Sequence, residues 1–212
     1  MEWYKIVSLV ALAVCLVSLA VHFIRLIRLG NPVDFSVKSG DTAKAVAYSF
    51  SGAMSPKKKE SAYMHLPTYT AGLLYHIGTF ISGAMFILLL SGVEFSAMLS
   101  LLFAAFLGIT LIAGLLVLMK RVIKKELRSL SNPDDYISNI LVTGVQILTA
   151  AVLLGISIDV VYYVWVAVLL LYLPVGKLRH AIYFFATRYH LGYYFGYRGT
   201  WPEKGHNKPS AA

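Results

Sequence analysis

The sequence predicts an all-α polytopic membrane protein, a bundle of five transmembrane helices with its N-terminus outside and its C-terminus in the cytoplasm. Three observations lead there. First, 58% of the 212 residues are hydrophobic, 14% are charged and mean hydropathy is +0.69, whereas a water-soluble domain carries roughly 25% charged residues. Second, five apolar runs recur along the chain, each near the ~20 residues needed to cross a bilayer as a helix. Third, eighteen of the nineteen Lys and Arg residues fall on one side of those runs, and basic loops are retained in the cytoplasm. These features exclude a secreted disulfide scaffold, a disordered tail protein and an ordinary cytosolic enzyme. The single cysteine, Cys15, sits inside an apolar run. One thiol closes no intramolecular disulfide and holds no iron–sulfur cluster.

The first run, residues 4–26, is too long and too weakly basic at its start for a cleaved signal peptide, and it lacks a small-x-small cleavage site. It is read as a span. The segment after it carries Arg25, Arg28, Lys38, Lys44, Lys57, Lys58 and Lys59. Spans two and three, 70–92 and 96–119, are joined by a short link holding Glu94, and Lys120, Arg121, Lys124, Lys125 and Arg128 follow. Asn132-Pro133-Asp134-Asp135 then reads as a helix start. Asn132 is the N-cap and Pro133 the first helical residue, and the acids sit in the first turn, where the dipole favours negative charge. Spans four and five, 138–158 and 160–184, are separated by a tight link at Asp159. A five-span domain over 1–187 and a cytoplasmic tail over 188–212 complete the expected division. The tail and its approach hold Lys177, Arg179, Arg188, Arg198, Lys204 and Lys208, and the opposite side holds only Lys5. The basic excess is therefore topological before it is anything else. It also presents a cationic face to anionic lipid or to an acidic partner, rather than to nucleic acid.

Ionisable residues within a bilayer are costly and mark functional sites. The histidines are His22, His65, His76, His180, His190 and His206, none in the outer half of a span. His76 lies about six residues into span two and His180 about five before the end of span five. At ~1.5 Å per residue both sit about 7–9 Å inside the same membrane face. Two imidazoles at equal depth on different helices are what bis-histidine haem ligation requires. Gly72, His76, Thr79 and Gly83 fall on one helix face, small apart from the histidine, with room for a flat macrocycle. Gly176 lies one turn from His180, and Lys177 and Arg179 lie where haem propionates find cations. The expectation is one haem b, with His76 and His180 as iron ligands and Lys177, Gly72 and Gly83 completing the cofactor site. A bis-imidazole haem has no open coordination position, so its role is electron transfer. The plainer alternative is a histidine hydrogen-bonded to a neighbouring helix, on a face made small for close packing. His22 reads as an interfacial histidine, with a substitute ligand or quinone contact as the sharper reading. His65 and His190 are displaced from the first pair by 11 and 10 residues in the same direction; they would hold a second haem if both helices ran on into the cytoplasm. His206 reads as solvated.

Leu74-Tyr75-His76-Ile77-Gly78, Leu173-Pro174-Val175-Gly176-Lys177-Leu178-Arg179-His180 and the stretch from Leu127 to Tyr136 carry a family resemblance. The chain resembles the cytochrome b gamma subunit of respiratory nitrate reductase. It is also similar to that family's relatives in sulfite-reductase-associated and heterodisulfide-reductase-like membrane complexes. The resemblance covers most of the chain in order, spacing, span count and orientation. It implies a multi-pass subunit of a prokaryotic cell (inner) membrane that exchanges electrons between a quinone pool and a cytoplasmic-side iron–sulfur subunit. The substrate-converting centre would lie in a partner. His76 and His180 match the pair nearest that partner, and Lys177 falls where the family has a basic residue close to the haem. The family's second pair falls here at Phe86 and Tyr162, neither a usual haem b ligand, and neighbouring Met85 has no partner histidine. The chain is expected to keep the cytoplasmic-side haem and to lack the outer one. That moves the expected quinone site to the cytoplasmic half, with His22, Arg25 and Tyr75 as candidate contacts. Gln146, a strongly polar side chain within span four, is either such a contact or an interhelical hydrogen bond. The partner would dock on 27–69, 120–137 and the tail from Arg188. The aromatics Tyr189, Tyr193, Tyr194, Phe195, Tyr197 and Trp201 there form an interface or a membrane belt. The alternative is a cofactor-free anchor or assembly subunit. A transporter is disfavoured, since no half repeats, no pair of helices is interrupted and no acid lies near the midplane.

Overall fold

The computed structural model describes residues 2–30, 34–55 and 64–202, and every regular element among them is helical. In chain order these are α1 (Trp3–Leu29), α2 (Thr42–Phe50), α3 (Leu66–Leu90), α4 (Ala97–Ile123), α5 (Lys125–Ser129), α6 (Pro133–Leu153), α7 (Asp159–Tyr172) and α8 (His180–Tyr197), with 3₁₀ turns at Gly52–Met54 and Lys177–Arg179. Helices α1, α3, α4 and α6 are each long and apolar enough to cross a membrane. Helices α7 and α8 form an interrupted pair that makes a fifth crossing if taken together. The protein is an all-α membrane protein. The basic residues Lys57, Lys58, Lys59, Lys204 and Lys208, and His206, lie outside the described residues.

Local chemistry sets the ends of the later helices. The helix that carries the expected span 138–158 begins at Pro133, as its Asn132-Pro133 start predicts, because Asn132 and Asp135 form a capping box. The Asn132 side chain accepts from the Asp135 N–H at 3.1 Å, and the Asp135 carboxylate accepts from the Asn132 N–H at 3.0 Å. It ends at Leu153, followed by a turn in which Gly155 takes a φ of +80°. The continuous helix expected over 160–184 is broken. Pro174 has no N–H to donate and obstructs the preceding turn, and the N–H groups of Val175 and Gly176 both bond to the Tyr172 carbonyl, at 3.1 and 2.8 Å. Helix α8 then runs unbroken across residue 188 to Tyr197, so the chain does not change character at 187/188.

The chain divides into two compact units: residues 2–18 with 65–179, and the described parts of 19–64 with 180–202. In the first unit α4 packs on α3 and α6, and α6 also meets α3 and α7. Lipid tails are as apolar as leucine, so small residues and interhelical hydrogen bonds must hold such a bundle together. Gly78 lies directly against Thr110, and Gly114 against the Tyr75 ring. Gln146, fully buried, donates through Nε2 to the Tyr75 carbonyl and to Thr79 Oγ1, both at 3.2 Å, and accepts from Thr110 Oγ1 at 3.0 Å. One side chain on α6 thereby ties α3 to α4. Gln146→Leu is expected to lower stability by only about 1–2 kcal/mol. The modest loss follows because Thr79 and Thr110 keep acceptors on their own helices, Tyr75 O at 2.8 Å and Leu107 O at 3.0 Å. Thermal unfolding in detergent measures it.

In the second unit the short helix α2 lies along α8. Asp41 caps α2, its side chain accepting from the N–H groups of Ala43 and Lys44 at 3.0 and 3.1 Å. Gly192 and Gly196, one turn apart on α8, meet the Val46 backbone and Ala45. Ser49 Oγ donates to the Arg188 carbonyl at 2.8 Å. Along a neighbouring stripe of α8, Tyr189, Tyr193 and Tyr197 stack at centroid spacings of 6.3 and 6.2 Å.

Candidate functional site

His76 stands at the exposed surface of α3, and its Nδ1–H donates to the Gly72 carbonyl one turn earlier, at 2.7 Å. A neutral ring that donates through Nδ1 carries its lone pair on Nε2. This is the arrangement of a metal-ligating imidazole, whose other nitrogen is fixed by a backbone carbonyl. On the same face a Cβ added at Gly72 or Gly83 would meet nothing within 4 Å among the described residues beyond its own stretch of helix. The packing of the described residues therefore does not require glycine at either position. Thr79 departs from the expected face, turning inward to Tyr75 O and Gln146. The small outward face is Gly72, His76 and Gly83, with Phe80 73% exposed beside it.

Lys177 belongs to a charge cluster in the first unit. Its Nζ pairs with Asp135 Oδ1, while Arg121 Nη1 lies 3.2 Å from Asp135 Oδ2 and donates to Ser131 Oγ at 3.0 Å. The Asp135 side chain is 5% exposed and that of Lys177 is 50% exposed. The cluster joins the end of α4, the start of α6 and the turn after α7, and Asp135 is structural, as its capping role predicts. Asp135→Ala removes a reciprocal cap and two half-solvated ion pairs. The expected cost is about 1–2 kcal/mol, part of it lost at high salt; unfolding midpoints at low and high ionic strength check it.

His180 is the first residue of α8, exposed, in the second unit. Gly176 does not leave open room, since the Tyr172 ring packs on it. His22 and Arg25 lie on α1 in the second unit, His22 half-buried and Arg25 exposed. Tyr75 is already engaged: its hydroxyl donates to the Asn139 carbonyl at 3.1 Å and lies 2.9 Å from Thr143 Oγ1. His65 occupies the cap position of α3 and makes no side-chain capping bond. His190 donates from Nε2 to the Leu26 carbonyl at 3.2 Å, its ring against Gly30. Of the two continuing helices that a second haem would need, α8 runs past His190 but α3 begins only at Leu66.

Phe86 and Tyr162, at the positions of the second family pair, are both buried in one cluster with Val145, Tyr163 and Val166. Met85 is buried in the adjoining cluster with Leu107 and Leu153. That end of the bundle is filled by side chains. Gln146 is the interhelical hydrogen bond rather than a contact for an added group. The sequence reading missed α2 and the packing of α8 on it, although Gly192 and Gly196 at i, i+4 were a signal for a close-lying helix. Comparison with family models, curated proteins and solved structures found no match.

Proposed function

We propose that this chain is a membrane cytochrome b subunit of a multisubunit respiratory oxidoreductase, set in a prokaryotic cell membrane and similar to the nitrate reductase gamma subunit. It crosses five times, with α7 and α8 as the fifth passage, its N-terminus outside and its C-terminus in the cytoplasm. It exchanges electrons between a quinone pool and a cytoplasmic-side iron–sulfur subunit. The observation that carries this reading is His76, a histidine on an apolar span whose Nδ1 is committed to Gly72 O on a face kept small by Gly72 and Gly83. His180 joins it as second ligand on the motif around it. When bound, haem b supplies a one-electron carrier with no open coordination position. The chain's residues do the rest. The Gly72 carbonyl fixes the His76 tautomer, the glycines leave space, and Lys177 and Arg179 bring positive charge. The filled end at Phe86 and Tyr162 supports one haem rather than two.

The second reading, a cofactor-free anchor, is favoured by the pairing of Lys177 with Asp135, which already neutralises that cation within the chain. A reduced-minus-oxidised optical spectrum with haem quantification decides between them. One haem b per chain is expected, and protein from haem-replete cells without an α band establishes the anchor. Orientation has its own test. Cys15 is buried, so Cys15→Ala carrying Lys5→Cys, Lys38→Cys or Lys124→Cys reports sidedness without background. An impermeant maleimide is expected to label only the Lys5→Cys protein in intact cells; labelling of the other two would reverse the orientation.

A further inference from the structure

The second unit contains a groove of about 950 Å³, within the usual size of a small-molecule site, roughly 300–1,000 Å³. Leu26 and Leu29 at the end of α1 form one apolar wall. Tyr183, Leu191, Tyr193 and Tyr194 of α8 form the other. Its charged groups are already matched to one another. Arg198 Nη1 lies 2.7 Å from Asp34 Oδ2, and the guanidinium sits 3.8 Å over the Tyr194 ring. Asp34 also accepts from the Ser36 N–H at 3.0 Å and the Ser36 hydroxyl at 2.8 Å. These two bonds, with Arg198 behind them, hold its carboxyl below the usual carboxylate range. His190 spends its Nε2–H on the Leu26 carbonyl, which leaves Nδ1 for a further hydrogen bond. An anionic head would need an uncompensated cation and a cationic head an uncompensated anion. Burying an unmatched charge is costly, and the described lining residues supply neither countercharge.

We propose that this groove binds a neutral amphiphile, an uncharged hydrogen-bonding head on an apolar tail, and discriminates against anionic lipid. The tail lies along Leu26 and Leu29, and the head meets His190, Thr187 and Ser36. A quinone and an uncharged glyceride share this chemistry. A redox role for the occupant rests on the cytochrome reading; binding does not.

The test is native mass spectrometry of the full chain in detergent with three probes: a decyl-tailed benzoquinone, dioctanoylglycerol and dioctanoylphosphatidylglycerol. Saturable binding of either neutral probe, at least roughly tenfold tighter than the anionic one, is the expected result; which of the two binds identifies the source. Equal or tighter binding of phosphatidylglycerol, or non-saturating uptake of all three, overturns the proposal. Thr187→Trp, at an exposed position on the groove, should abolish neutral binding while helix content and melting stay unchanged. Asp34→Ala leaves Arg198 uncompensated and should invert the selectivity toward phosphatidylglycerol. If both variants behave like the parent chain, the groove is not the site. The readout is mass, so a chain without haem can still bind, and a haem-loaded chain can still fail to.

Discussion

His76→Ala is expected to abolish haem b, with the reduced-minus-oxidised α band falling to the background of the preparation and haem content to near zero. A haem that His76 and His180 would hold loses one of its two protein ligands, and no nearby side chain on α3 would replace it. Gly72, Gly83 and Phe80 surround the position, and none is a haem ligand. The loss is not expected to come from unfolding. His76 is exposed, and its hydrogen bond to Gly72 O lies within its own helix. Alanine there keeps the helix and improves its propensity slightly, so circular dichroism and the detergent melting curve of the apo-protein should be unchanged. His22→Ala, His65→Ala and His190→Ala should retain the band. A second variant tests the face rather than the ligand. Gly83→Leu meets nothing at its Cβ among the described residues beyond its own stretch of helix and leaves His76 in place, yet it fills the space that a macrocycle would need. It too should lose haem at unchanged helix content. If both variants keep one haem per chain, the iron lies elsewhere; if His76→Ala alone loses it, the ligand is right and the orientation of the ring plane is wrong.

The membrane class was legible because lipid removes every alternative for the backbone. A run of apolar residues can satisfy its N–H and C=O groups there only as a helix, so spans over α1, α3, α4 and α6 follow from composition alone. The start of α6 was equally legible, because Asn132, Pro133 and Asp135 carry their capping chemistry locally. The break after α7 was not. Hydropathy summed over 160–184 stays high across Pro174 and Gly176, since neither residue is strongly polar, although together they cannot continue a helix. Helix α2 escaped for a related reason. Nine residues form a stable helix only against a partner, here the Gly192–Gly196 face of α8. At the site, His76 and its glycines could be placed on one face from spacing. That Thr79 turns inward depends on Gln146, a residue 67 positions from Thr79. The filled end at Phe86 and Tyr162 shows the reverse. Sequence alone indicated only that no usual ligand stood there, and the packing supplies what occupies the space instead.

Gly78→Leu is expected to be the most destabilising single change in the first unit, about 3–5 kcal/mol, and to reduce the yield of folded protein sharply. Gly78 is buried where α3 crosses α4, and a Cβ there would fall on the Thr110 side chain, with Thr110 Cγ2 only 2.9 Å away. Thr110 cannot give way cheaply. It is fully buried, and its one hydroxyl proton is shared between Leu107 O and Gln146 Oε1, each at 3.0 Å. Extra methylenes in a closed core cost about 1–3 kcal/mol, and each interhelical hydrogen bond lost in lipid about 0.6–1.7 kcal/mol more. Parting α3 from α4 also strains the bonds from Gln146 to Tyr75 O and Thr79, so the change spreads through the polar centre of the bundle. Gly72→Ala is the control. It lies on the same helix, its Cβ meets nothing, and it should be neutral or stabilising by up to about 1 kcal/mol. A double-mutant cycle of Gly78→Ala with Thr110→Ala, read by denaturant unfolding in mixed micelles, should give a coupling energy above about 0.5 kcal/mol. Additive effects would mean that the close approach of Gly78 to Thr110 is not what holds α3 and α4 together.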